Sequence, residues 1–111
     1  MGFRPHEAPE YAASKAGVVR LTAALASLKE RMGIRVNCIC PGWVNTPASQ
    51  RTLAEMAKDQ WPASKAPAVM REPEEIADAV VELIRDDSLA GRVMLYYEGE
   101  ERRLVAVETE V

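Results

Sequence analysis

The sequence predicts an α/β fold, and three observations carry the prediction. A long helix rich in Ala and Leu leads into a β-branched strand that Pro41-Gly42 ends. A second helix with a single apolar stripe leads into a second strand, and a turn containing Gly99 follows it into a short apolar return. Strands separated by a helix form a parallel pair joined by a right-handed crossover. The expected architecture is part of a doubly wound parallel sheet, in the order helix, strand, helix, strand, with an antiparallel hairpin strand at the C-terminal end. Two or three strands make a poor α/β sheet, because parallel strands need both faces covered. The architecture is therefore expected to be incomplete.

Size and charge set the outer bounds. The 111 residues are the length of one domain, spanning 1–111, and 48% apolar with 28% charged residues is ordinary globular usage. A net charge of −3 and a pI near 5.2 supply no electrostatic reason to expect nucleic acid as a partner. No apolar run approaches the roughly 20 residues that span a bilayer, and Met1–His6 has no apolar signal core. A cytoplasmic protein with no membrane partner is the expectation.

Residues 1–10, with Pro5 and Pro9, read as a loop. The first helix is expected from Tyr11 to about Met32, where Lys29 and Arg31 in the last turn and Gly33 beyond it are stop signals. It is apolar nearly all round: Val18, Leu21, Leu25 and Leu28 form one stripe, and Ala12, Ala13, Ala16, Ala23 and Ala24 cover much of the rest. Only a buried helix carries so little polarity. Two covered faces are expected, one on the sheet and one against a neighbouring helix or a second subunit.

Ile34 to Cys40 reads as the first strand. Its Cys38 and Cys40 point to one face with Cα atoms about 6.5–7 Å apart, at the edge of disulfide reach. With His6 as the single histidine, a zinc site is poorly supplied, and two buried reduced thiols are expected. Residues 47–70 mix Pro, Ser, Ala and Lys and are expected to form short helices in a mobile excursion. Glu72-Pro73-Glu74-Glu75 opens the second helix, with Ile76, Ala77, Val80, Leu83 and Ile84 as its apolar stripe and Asp86-Asp87-Ser88 at its end. A strand from Arg92 to Tyr97, a turn at Glu98–Glu101 and a return over Leu104–Val107 complete the chain.

The chemistry lies at the start of the first helix. Tyr11 and Lys15 are four residues apart, so their Cβ atoms lie within about 5–6 Å on one face. A tyrosine can exchange a proton with an alcohol oxygen, and a neighbouring ammonium favours its phenolate form. By itself the pair is weak, since such spacing is commonly a surface coincidence. His6, in its Pro-rich loop, reads as solvated.

Its context makes the pair specific. Tyr11-Ala12-Ala13-Ser14-Lys15-Ala16-Gly17, then Ile34-Arg35-Val36-Asn37, then Pro41-Gly42-Trp43-Val44-Asn45-Thr46-Pro47, then Glu72-Pro73-Glu74-Glu75-Ile76-Ala77 stand in this order. Together they closely resemble the short-chain dehydrogenase/reductase family, over about residues 8–98. The resemblance implies the C-terminal, active-site half of a Rossmann-fold oxidoreductase that interconverts alcohols and ketones with NAD or NADP. Tyr11 would then be the catalytic acid/base, and Lys15 would assist it and hydrogen-bond the nicotinamide ribose. Pro41, Gly42 and the Val44 backbone would line the nicotinamide, with Thr46 bonding the carboxamide or a phosphate. Segment 47–70 would be a substrate lid, with Trp43 and Trp61 either shaping a pocket or simply packing.

The resemblance also shows what this sequence lacks. The six glycines, at 2, 17, 33, 42, 91 and 99, form no phosphate-binding cluster. The family's catalytic Ser and Asn have no counterpart among the ten residues before Tyr11, and its usual Asp-Gly-Gly end is replaced by Glu98-Gly99-Glu100. Turnover by this chain alone is not expected. A homo-oligomer or a complementing N-terminal half is the expected partner. The alternatives are a non-catalytic remnant serving as an oligomerisation or interaction module, and a degenerate fragment without function.

Overall fold

The computed structural model describes residues 8–58 and 69–107, so His6 and Trp61 lie outside the described residues. Helix α1 runs Pro9–Ala24, a 3-10 turn covers Leu25–Ser27 and α2 follows at Leu28–Met32, forming one helical arm. It starts two residues earlier than predicted, with Pro9 at its first position, where no N–H is needed. The stop is as predicted. Gly33 takes φ +68°, and the N–H groups of Gly33 and Ile34 donate to the carbonyls of Lys29 (3.0 Å) and Leu28 (3.2 Å).

Strand β1 is Cys38–Pro41 and β2 is Val93–Tyr96, paired in parallel with Cys38 opposite Val93 and Pro41 opposite Tyr96. The short β3, Arg103–Leu104, runs antiparallel to β2 with Leu104 opposite Met94. The order β1-β2-β3 puts β2 in the centre, and all four of its residues are buried. The hairpin return is therefore shorter than predicted. Its last bond, from Val105 N–H to the Val93 carbonyl at 2.8 Å, leaves Val107 67% exposed.

β1 is also shorter than the predicted 34–40, because Arg35 and Asn37 are engaged through their side chains. Helix α4, Pro73–Arg85, ends in carbonyls with no partner inside the helix. Arg35 Nη1 donates to the carbonyls of Leu83 (3.1 Å), Asp86 (3.1 Å) and Leu89 (3.0 Å), and Nη2 to that of Ile84 (2.6 Å). One guanidinium thus closes the C-terminal end of α4, where its charge also suits the helix dipole. Asn37 bridges the same region, donating to the Leu89 carbonyl at 3.0 Å and accepting from the Arg92 N–H at 3.0 Å. Just beyond α4, Asp86 accepts from the Ser88 hydroxyl at 2.6 Å and N–H at 3.1 Å, which holds its carboxyl below the usual range.

The core lies between α4 and one face of the sheet. Ala79, Leu83, Leu89, Met94 and Tyr96 form it, with Ile39, Ile76 and Leu104 packed against it. The inward stripe of α4 is thus Ile76, Ala79 and Leu83. This corrects the predicted stripe: Val80 is 37% and Ile84 63% exposed, and together with Arg35, Asn37, Ile39 and Leu83 they line a groove of about 260 Å³ beside β1. At the level of the backbone α4 lies against β1, and Val80 and Ile84 flank the groove beside that strand.

Strand alternation sends Val93, Leu95, Cys38 and Cys40 to the opposite face, where α1 packs on β1 and β2. Here too the sequence expectation is corrected. Thr22 is the one buried residue of α1, whereas Val18 is 52% and Leu21 58% exposed. The arm approaches the sheet through small residues instead. Gly91, at φ +68°, lies so close to Ala26 that a Cβ there would strike it. One face of the helix is covered, and the second is open. The two thiols are free, as expected, but half-buried rather than buried. Burial and the neighbouring Cys38 push Cys40 up to about 11.

Candidate active site

The site candidates lie on two segments. Tyr11 and Lys15 belong to the first two turns of α1, whose arm closely approaches the chain before β2 where Ala26 lies against Gly91. Pro41–Thr46 leaves the carboxyl end of β1, the end of an α/β sheet at which ligands bind.

Tyr11 and Lys15 stand side by side, with the Lys15 ammonium 5.5 Å from the centre of the Tyr11 ring. Tyr11 is 54% exposed, and its carbonyl accepts the Ser14 hydroxyl at 2.8 Å. Pro41 ends β1 at the surface, and Gly42 donates to the Tyr96 carbonyl at 3.0 Å. Val44 forms an isolated parallel bridge with Arg71: the Arg71 N–H donates to Trp43 (2.9 Å), and the Asn45 N–H to Arg71 (2.7 Å). Thr46 caps helix α3, Pro47–Lys58, by accepting the Ser49 N–H at 3.1 Å, and its hydroxyl also reaches the Ser49 hydroxyl at 3.1 Å. A role for Thr46 toward a ligand therefore competes with its cap. The predicted excursion 47–70 opens with this 12-residue helix; its second part lies outside the described residues.

Two residues of this region were not singled out from the sequence. The Glu98 carboxylate accepts the Trp43 N–H and fills the space a Cβ on Gly42 would need. Arg71 donates to the carbonyls of Tyr97 (3.3 Å) and Glu100, pairs with Glu75 at 3.2 Å, and lies 4.5 Å over the Tyr96 ring. Glu75 also accepts the Glu72 N–H at 2.7 Å; that bond first and Arg71 second hold its carboxyl low. A signal for Glu98 existed in its replacement of the family's usual Asp-Gly-Gly. For Arg71 only the Glu75 pairing, four residues on, is local; the Tyr97 and Glu100 carbonyls and the Tyr96 ring are distant in sequence.

The donor set suits a dinucleotide. Tyr11 and Thr46 offer hydroxyls and Lys15 a cation, which match ribose, carboxamide and phosphate oxygens. Among the described residues no group of three or more His, Cys, Asp or Glu is placed to hold a metal ion. No helix of the described residues is long and apolar enough to cross a membrane.

A helix-strand-helix-strand unit with a parallel β1–β2 pair is part of an α/β scaffold. The chain belongs to the short-chain dehydrogenase/reductase family. Residues 2–93 match the family model described as enoyl-(acyl carrier protein) reductase. The chain is 42% identical over 78 residues to a (3R)-3-hydroxyacyl-CoA dehydrogenase of Mus musculus, covering 70% of the chain and 30% of that protein. It is 36% identical over 95 residues to 15-hydroxyprostaglandin dehydrogenase (NAD(+)) of Rattus norvegicus, covering 78% and 36% respectively. A crystal structure from Agrobacterium tumefaciens, assigned as a 2-deoxy-D-gluconate 3-dehydrogenase with bound NADP, superposes with TM-score 0.62 at 32% identity. It covers 81% of this chain and 37% of that one. The chain thus spans about a third of the length of the relatives it matches.

Proposed function

We propose that this chain is the active-site half of an NAD(P)-dependent oxidoreductase that interconverts alcohol and carbonyl groups. The observation that supports this most is the Tyr11–Lys15 pair, one helical turn apart with the ammonium 5.5 Å from the ring centre. Tyr11 exchanges a proton with the substrate oxygen, as donor in reduction and acceptor in oxidation. Lys15 stabilises the phenolate and hydrogen-bonds the ribose. Pro41, Gly42 and the Val44 backbone line the nicotinamide, and Thr46 reaches the carboxamide or a phosphate when it leaves its cap. The dinucleotide, NAD or NADP, supplies hydride exchange with the substrate carbon. Segment 47–70 serves as the lid over a small alcohol or ketone, excluding water on closure.

The glycine-rich turn and the catalytic Ser and Asn would come from a complementing N-terminal half. The open edge of β1 and the groove beside Val80 and Ile84 support that reading. The coding DNA upstream of Met1 is the first test: a glycine-rich βαβ unit there, in frame or as a neighbouring gene, is the expected result. The second is NAD(P)H fluorescence titration of the chain, alone and mixed with that half. Tyr11→Phe should then leave binding in place and lower kcat by about 100-fold or more. Unchanged turnover in that variant would remove Tyr11 from the chemistry.

The open face of α1, with Val18 and Leu21 exposed, favours a second reading: a module that associates through this helix without catalysis. A stable oligomer by light scattering with no dinucleotide binding under either condition would select it.

A further inference from the structure

Two carboxylates reach the Pro41–Thr46 loop among the described residues: Glu72 accepts the Asn45 side-chain amide at 3.1 Å, and Glu98 accepts the backbone N–H of Trp43, next to Gly42. Glu98 follows the buried β2 directly, so its backbone is fixed from one side by the strand. From the other side Arg71 fixes it, by gripping the Tyr97 and Glu100 carbonyls that bracket the turn. The carboxylate then takes the Trp43 N–H and lies against Gly42, in the space a Cβ there would occupy. Arg71 does not cancel this charge, because its own is paired with Glu75 at 3.2 Å.

Resting on the oxidoreductase reading above, we propose that Glu98 is a positioning and selectivity residue: it fixes the Gly42–Trp43 peptide and gives the nicotinamide-facing loop a negative charge that favours the oxidised, cationic ring over the reduced, neutral one. The charge acts on a difference between the two redox forms of the ring, so it raises the affinity for oxidised dinucleotide relative to reduced. A hydrogen bond alone would act on both forms equally.

The test separates the hydrogen bond from the charge. Glu98→Gln keeps the shape and an acceptor but removes the charge, whereas Glu98→Asp keeps the charge and shortens the reach. Hydrogen exchange at the Trp43 amide, read on the chain without dinucleotide, should quicken at least tenfold in Glu98→Asp and change little in Glu98→Gln. The affinity ratio for oxidised over reduced dinucleotide, by fluorescence and calorimetric titration of the chain with its N-terminal half, should fall about tenfold in Glu98→Gln. That is the size of one unit charge acting through a partly solvated site. It should stay near the parent value in Glu98→Asp. An unchanged ratio in Glu98→Gln, or Trp43 exchange indifferent to Glu98→Asp, overturns the proposal. If the unsubstituted protein binds neither redox form, the oxidoreductase reading fails and the ring selectivity fails with it, a result distinct from binding with an unmoved ratio.

Discussion

The two faces of the sheet are built differently. Toward α4, apolar side chains close a core and three arginines finish it: Arg35 caps the helix, and Arg71 and Arg102 lie 4.5 and 5.6 Å over the Tyr96 ring, with Arg102 also paired to Glu82 at 2.6 Å. Toward α1, Val93 and Leu95 are buried, the arm comes close through Ala26 against Gly91, and the outer face of the helix stays exposed among the described residues. Both faces of β2 are therefore buried, but only the α4 side is finished by charged side chains.

That contrast can be broken first at Leu95, which is 2% exposed in the central strand. Leu95→Ala should cost about 3 kcal/mol in chemical denaturation, as for other buried Leu truncations. A cost below about 1 kcal/mol would mean that β2 is not the anchor of the fold. Arg35→Ala should follow, at about 2 kcal/mol for loss of charged hydrogen bonds to carbonyls left without partners. Arg35→Lys should recover less than half of it, since an ammonium cannot reproduce a planar fork.

The Cys40 thiol sharpens the comparison on the α1 face. Its value is raised to about 11, so the fold disfavours the thiolate. The resulting stabilisation is complete below the ordinary thiol range and is lost as pH rises through about 11. Denaturation midpoints measured from pH 8 upward should decline, and Cys40→Ser should remove the thiol's share of that decline. The smallest effect belongs to the outer face of α1. Leu21→Ser should change the stability of the isolated chain by less than about 0.5 kcal/mol yet weaken any association through this helix, as read by light scattering. A larger loss of stability would show that the face is already covered.

Much of the fold was legible because its signals are local. Gly33 after Met32, Glu72-Pro73 at the start of α4 and Pro41-Gly42 at the end of β1 act within a few residues of the ends they set, whereas Pro9, expected in a loop, opens α1. The Tyr11–Lys15 pair was legible for the same reason, being one turn of helix. What could not be read depends on contacts between distant segments. Arg35 looked like a strand residue, and its capping role needs the end of α4 about fifty positions later. The stripe of α4 was misplaced because periodicity marks which residues are apolar, while the way the helix lies on the sheet decides which of them are buried. Val18 and Leu21 were assigned to packing by composition, although Ala26 and Gly91 make the close approach.

The Trp43–Arg71–Asn45 hydrogen bonds have a further consequence. Helix α3 departs beyond Asn45, and Arg71 lies back beside Trp43, so the two ends of the insertion are joined by backbone bonds. Once such ends are tied, length is cheap: doubling a loop adds only about 0.6 kcal/mol of closure entropy. The insertion is thereby a place where the chain tolerates a change of length while the β1–β2 register stays as it is.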